Sequence, residues 1–142
     1  MLRFQNGVGS MAIEDIFKEE AGIEQLLDFS WQALRGHALD DLPFGAIRLD
    51  DQGIIQTYNI AESNLTGLLP NNVIGKNFFT EVAPCTNVKA FAGRFREGVK
   101  AGKLHAVFPF RFDFKMKPLE VQVALYFEPK ERRAWVFVRR RG

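Results

Sequence analysis

Tyr58-Asn-Ile-Ala-Glu62-Ser-Asn-Leu-Thr66-Gly67, followed after a short break by Ile74-Gly-Lys-Asn-Phe-Phe79 and then Val82-Ala-Pro-Cys85, gathers the most informative side chains of the chain into one segment. Asn59 is a good N-cap and Gly67 a good helix stop, so the first part reads as a short helix. Tyr58, Glu62 and Thr66 stand four residues apart and then fall on one face, one above the other. A phenol, a carboxyl and a hydroxyl in one stripe need partners if that face is buried. Pro70 prevents the helix from running on, a short helical piece reaches Ile74, and a tight Gly75-Lys-Asn turn leads to two phenylalanines. Beyond them stands Cys85, the only cysteine of the protein. The polar stripe and the thiol are candidates for two ends of one pocket.

Upstream of this segment, Phe44-Gly-Ala-Ile-Arg-Leu-Asp50 alternates as a strand does, Asp50-Asp-Gln-Gly53 supplies a turn, and Ile54-Ile-Gln-Thr57 resumes the extended chain. Downstream, a helix is expected over 89–101, with Phe91, Phe95 and Val99 on one side, Arg94, Arg96 and Lys100 outward, and Gly102 as its stop. Strict alternation from His105 to Phe114 puts Phe108, Phe110, Phe112 and Phe114 on a single face. Pro109 cannot donate to a ladder, so it belongs at an edge or a bulge. A turn at Lys115-Met-Lys-Pro118 precedes a strand carrying Leu119, Val121, Val123, Leu125 and Phe127. The last strand, Ala134-Trp-Val-Phe-Val138, is apolar on both faces, which calls for cover on both sides of the sheet. Residues 12–34 are helically patterned, with Ile13, Ile16 and Phe17 before Gly22 and Ile23, Leu26, Leu27, Trp31 and Leu34 after it. They are the elements left to cover the second face. The expected organisation is an N-terminal helical cap and linker over 1–43 and a core over 44–142. The expected class is α+β: a five-stranded antiparallel sheet with helices on one face and the cap on the other.

The totals agree with one soluble domain. The chain has 142 residues, 46% of them hydrophobic and 25% charged. Fourteen phenylalanines against two tyrosines and two tryptophans make the few polar aromatics worth locating. A net charge of +2 gives no support to a nucleic-acid partner. One cysteine forms no internal disulfide, no apolar run approaches a bilayer span, and Met1 to Gly7 lacks a signal-peptide core, so a cytoplasmic location and no membrane partner are expected. His37 and His105 have no companions at metal-ligand spacing, and no metal site is expected.

The order of strands and helices, with Leu49-Asp50, Gly53, Asn59-x-Ala61-Glu62, Thr66-Gly67 and Ile74-Gly75-Lys76, resembles a PAS domain. Within it, Phe44-Gly-Ala-Ile47, Tyr58-Asn59, Val73-Ile-Gly-Lys-Asn-Phe-Phe79, Val82-Ala-Pro-Cys-Thr86, Glu97-Gly-Val99, Phe112-Asp113, Met116 and Trp135-Val-Phe-Val138 are similar to the xanthopsin, or photoactive yellow protein, family. The likeness runs from about residue 42 to residue 140. It implies a blue-light photoreceptor, not an enzyme, with 4-hydroxycinnamic (p-coumaric) acid held as a thioester on Cys85. It further implies that Tyr58 and Glu62 hydrogen-bond the phenolic oxygen, that Thr66 orients Tyr58, that Phe112 packs near the ring, and that Met116 assists return to the dark state. Trans–cis isomerisation and proton transfer from Glu62 would then drive a signalling change read by a downstream protein. Leu68 stands where the family has an arginine over the pocket, and Phe110 and Phe114 stand where it has tyrosines.

Plainer readings exist for each residue. A lone cysteine is most often a small buried hydrophobe. A helical glutamate is usually solvated, and Tyr58 with Thr66 can be a simple buried hydrogen bond. The corresponding functional alternatives are a PAS sensor or protein-interaction module without a chromophore, and a cysteine enzyme such as a thioesterase. The enzyme is disfavoured because no histidine–acid pair accompanies the thiol.

Overall fold

The computed structural model describes residues 16–17, 39–113 and 118–141. Strands β1 (Gly45–Asp50) and β2 (Ile55–Tyr58) form the first hairpin. Its turn is fixed by Asp50, whose Oδ1 accepts from the amides of Gln52 and Ile54, each at 2.9 Å. Gly53 closes the turn at φ 91°, a conformation that costs glycine little. Helix α1 (Ile60–Thr66) follows directly, capped by Asn59 at one end and by left-handed Gly67 at the other, as the sequence anticipates. A four-residue helix, α2 (Pro70–Val73), uses Pro70 in its first turn, where the missing N–H is no loss.

Between α2 and the next long helix, two wide π-type turns replace what reads in the sequence as a loop and a regular helix start. Phe78–Val82 is the first, capped by Asn77, whose Oδ1 accepts from Phe79 and Thr80 at 2.9 and 3.1 Å. It sends both Phe78 and Phe79 inward. Lys89–Gly93 is the second, so the helix expected over 89–101 is α-helical only as α3 (Arg94–Ala101). The Val88 carbonyl accepts from both Phe91 and Gly93, and the widened turn buries Phe91 and Ala92 together.

Strands β3 (Leu104–Asp113), β4 (Pro118–Glu128) and β5 (Arg133–Arg140) complete an antiparallel sheet in the order β2-β1-β5-β4-β3. Pro109 is exposed on edge strand β3, as its missing donor requires. Pro118, expected in the turn, is already paired with Asp113 as the first residue of β4. Alternation sorts the sheet into two apolar faces. Ile47, Leu49, Val121, Val123, Leu125, Val136 and Val138 turn inward under the helices, with Phe108 and Phe112 of β3. Ala46, Ala124, Tyr126, Trp135 and Phe137 turn to the opposite face.

That outer face is covered by Ile16 and Phe17, each almost wholly buried. The Tyr126 hydroxyl donates to the Ile16 carbonyl. Phe17 packs edge-on against Phe44 at 5.2 Å between centroids, and the Arg139 guanidinium lies 4.3 Å from the centre of the Phe17 ring. Both contacts agree with a covered second face. The remaining elements of the expected N-terminal cap lie outside the described residues, as do Phe114 and Met116.

Candidate functional site

The site is built where the end of β2 passes into α1. Tyr58 ends β2 and points into the inner cluster, buried among apolar side chains. One helical turn on, Glu62 is 1% exposed, the only carboxylate among the described residues to be buried so fully. Thr66 sits at the last turn of α1. Its Oγ1 is 2.8 Å from the Tyr58 hydroxyl, donates to the Glu62 carbonyl at 3.1 Å and accepts from the Leu68 amide at 3.1 Å. The single Thr66 proton has two acceptors, the Glu62 carbonyl and the Tyr58 oxygen. When it goes to Tyr58, the phenol's own proton is free for a ligand.

Burial decides the charge state of this stripe. The Glu62 Oε1 atom has no hydrogen-bond partner, and loss of water pushes the carboxyl up to about 8. At neutral pH Glu62 therefore keeps its proton and can act as a donor. Burial also holds the Tyr58 phenol well above its ordinary range; the neighbouring Glu62 adds to the rise and the Thr66 hydrogen bond partly offsets it. The two ionisable members of the stripe, Tyr58 and Glu62, are thus both neutral O–H groups in an apolar setting.

The position of α1 depends on Asn59. Its Oδ1 accepts from the Glu62 amide at 3.0 Å and from the Ala46 amide at 2.9 Å. Its Nδ2 donates to the carbonyls of Leu39 at 2.9 Å and Phe44 at 3.1 Å. The Ile60 amide donates to Asp40 Oδ1 at 2.8 Å. The sequence marks Asn59 as a helix cap, but its partners on β1 and in the linker lie 13 to 20 residues away and leave no local pattern.

Cys85 stands in a single tight turn, Pro84–Thr86, anchored by buried Thr86, whose hydroxyl donates to the Ala83 carbonyl at 2.7 Å. The thiol is free, half-buried, and packed against the same apolar cluster that contains Tyr58 and Phe112. Leu65, Leu68, Val82 and Phe110 border that cluster too. Phe91 joins its rings, lying edge-on to Phe110 at 5.1 Å, and Phe110 lies edge-on to Phe112 at 5.5 Å. The fold therefore brings Tyr58, Glu62 and Thr66 into one polar stripe and sets Cys85 and Phe112 on the apolar cluster beside it. Among the described residues, no cluster of histidine, cysteine and carboxylate side chains is arranged to hold a metal, and no helix is long and apolar enough to cross a membrane.

Comparison with known proteins agrees with the fold. The family profile of the PAS fold matches residues 33–141. The chain is 51% identical over 102 residues to photoactive yellow protein of Rhodothalassium salexigens, covering 72% of this chain and 82% of that one. It is 48% identical over 102 residues to photoactive yellow protein of Halochromatium salexigens, with the same coverage. Among solved structures, the photoactive yellow protein domain of the sensor histidine kinase Ppr from Rhodospirillum centenum superposes with a TM-score of 0.73 at 49% identity, covering 77% of this chain and 98% of that one.

Proposed function

Because the chain belongs to the photoactive yellow protein family of PAS-fold domains, we propose that it is a blue-light photoreceptor carrying p-coumaric acid as a thioester on Cys85. The observation that carries this reading is the orphaned Oε1 of buried Glu62, one turn from a buried tyrosine and beside the apolar cluster on which the only thiol rests. A buried polar atom without a partner costs about 1–3 kcal/mol, and a phenolic oxygen at the Tyr58–Glu62 stripe would relieve it. When bound, the p-coumaroyl group supplies visible absorption, light-driven trans–cis isomerisation and an ionisable phenol.

The chain's own residues do the rest. The Cys85 thiolate would be the nucleophile that takes the acyl group from an activated donor, forming the thioester as the donor's activating group leaves. Tyr58 and protonated Glu62 each give one short, charge-assisted hydrogen bond to a phenolate oxygen, and Thr66 holds Tyr58 in place. Phe110 and Phe112 exclude water. Leu68, half-buried where the family has an arginine, places an apolar side chain rather than a cation at the edge of the site. If Glu62 gave its proton to a bound phenolate oxygen, a carboxylate would be left in a dry site, at a cost of roughly 3–5 kcal/mol. The resulting strain has a route outward: α1 is tied through Asn59 to the Phe44 carbonyl, and the Phe44 ring carries Phe17 on the outer face. Release of that outer layer is the signal offered to a downstream signalling protein.

Mixing the purified protein with activated p-coumarate, while following visible absorbance and intact mass, tests the assignment. A stable coloured adduct that is lost in Cys85→Ala is the expected result. Turnover with the thiol left free would instead indicate a cysteine enzyme, and no reaction at all would leave a PAS module without a chromophore.

A further inference from the structure

Gly45 lies on β1 directly beneath the Glu62 carboxyl. A Cβ built there would fall well inside the van der Waals envelope of Glu62 Oε1, and 3.1 and 3.2 Å from its Cδ and Cβ. The backbone at Gly45 does not explain the glycine, because this residue is not among the positive-φ positions and sits in regular ladder pairing with Val138. An alanine suits such a backbone without strain. Nor can α1 simply step away. Asn59 fastens the first turn of α1 to the chain on both sides of Gly45, through the Phe44 carbonyl before it and through the Ala46 amide and carbonyl after it. With strand and helix pinned together, the volume of a missing methyl group is what the carboxyl occupies.

We propose that Gly45 is a positioning residue for the proton donor of this site: its absent side chain forms the niche that holds the Glu62 carboxyl against β1 and aims it along the Tyr58 stripe. This rests on the photoreceptor reading for its role in function, but the niche itself belongs to the protein without chromophore. A methyl group at position 45 cannot share the niche with the carboxyl, so it must displace the carboxyl from the place it holds beside Tyr58. The Asn59 clamp on its two flanks makes Gly45 a different case from the turn glycines, whose added Cβ meets open space at Gly67, Gly75 and Gly102.

The test uses the full chain without chromophore, following the infrared C=O band of the protonated carboxyl against pH in wild type, Gly45→Ala, Glu62→Ala and the double variant. Wild type should show a band, absent in Glu62→Ala, that titrates near the raised value of about 8. In Gly45→Ala that titration should move by at least about one pH unit from the wild-type value. After loading with activated p-coumarate, Gly45→Ala should shift the visible band, and in the Glu62→Ala background the same substitution should shift nothing further. Should Gly45→Ala fail to fold, removal of the carboxyl in the double variant should restore folding. An unchanged carboxyl titration in Gly45→Ala, or a misfolding that Glu62→Ala does not relieve, overturns the proposal. Failure of wild type to load would count against the photoreceptor reading alone, since the carboxyl titration is read without chromophore.

Discussion

Between pH 4.5 and 8 the chromophore-free protein should lose roughly 3–5 kcal/mol of stability through Glu62 alone, and Glu62→Gln should abolish that loss. Burial without a hydrogen-bond partner raises the folded-state pKa of this carboxyl from 4.5 to about 8. Across that window the folded chain keeps a proton that the unfolded chain has already released. Stability therefore falls as pH rises, at up to about 1.4 kcal/mol per pH unit. Below the unfolded value both states are protonated and the contribution is constant; above the folded value both are ionised and the slope ends. Glutamine has nearly the same shape and no charge to bury, so wild type and Glu62→Gln should match in acid and diverge toward alkaline pH, with the variant the more stable. Urea unfolding at a series of pH values, compared between the two proteins, measures this difference directly. Parallel curves would mean that Glu62 titrates as an ordinary exposed carboxyl.

The second large effect belongs to Asn59. Its side chain accepts from two amides and donates to two carbonyls, and it is almost fully buried. Asn59→Ala removes the α1 cap, worth about 1 kcal/mol, and strands the buried Ala46 amide and Phe44 carbonyl at about 1–3 kcal/mol each before any relaxation. A net loss on the order of 3 kcal/mol in urea unfolding is the expected result. Asn59→Asp keeps both accepted bonds but sets an acidic oxygen against the Leu39 and Phe44 carbonyls. It should therefore gain on Asn59→Ala only as pH is lowered and its own carboxyl is protonated. A loss of a few tenths of a kcal/mol in Asn59→Ala would show that α1 is held by packing and not by this clamp.

The behaviour of Asn59 also shows where sequence reasoning succeeds and where it stops. Period-two alternation identified the strands and their two apolar faces, because each strand of this sheet is buried by its own side chains: Val121, Val123 and Leu125 on one side, Ala124 and Tyr126 on the other. Pro109 narrowed its position to an edge or a bulge, since it has no amide proton to donate, and the strand order puts it on the edge. The wide turns at Phe78–Val82 and Lys89–Gly93 carried no such mark. Their sequences are compatible with ordinary helix, and their widening answers a tertiary demand, the burial of adjacent residues on one side. At the site, helical spacing was enough to align Tyr58, Glu62 and Thr66. Whether the stripe faced solvent or core was a matter of what packed over it, and only the fold supplies that. The niche at Gly45 was hidden for a similar reason: its occupant, Glu62, comes from 17 residues further along the chain.

Light-minus-dark infrared difference spectroscopy of the p-coumaroyl-loaded protein probes the central assignment most directly, because it watches the proton of Glu62. The account predicts that illumination bleaches the C=O band of a protonated carboxyl, that a carboxylate band appears as it goes, and that neither change occurs in Glu62→Gln. A carboxyl band indifferent to light, or one that bleaches equally in Glu62→Gln, would contradict it.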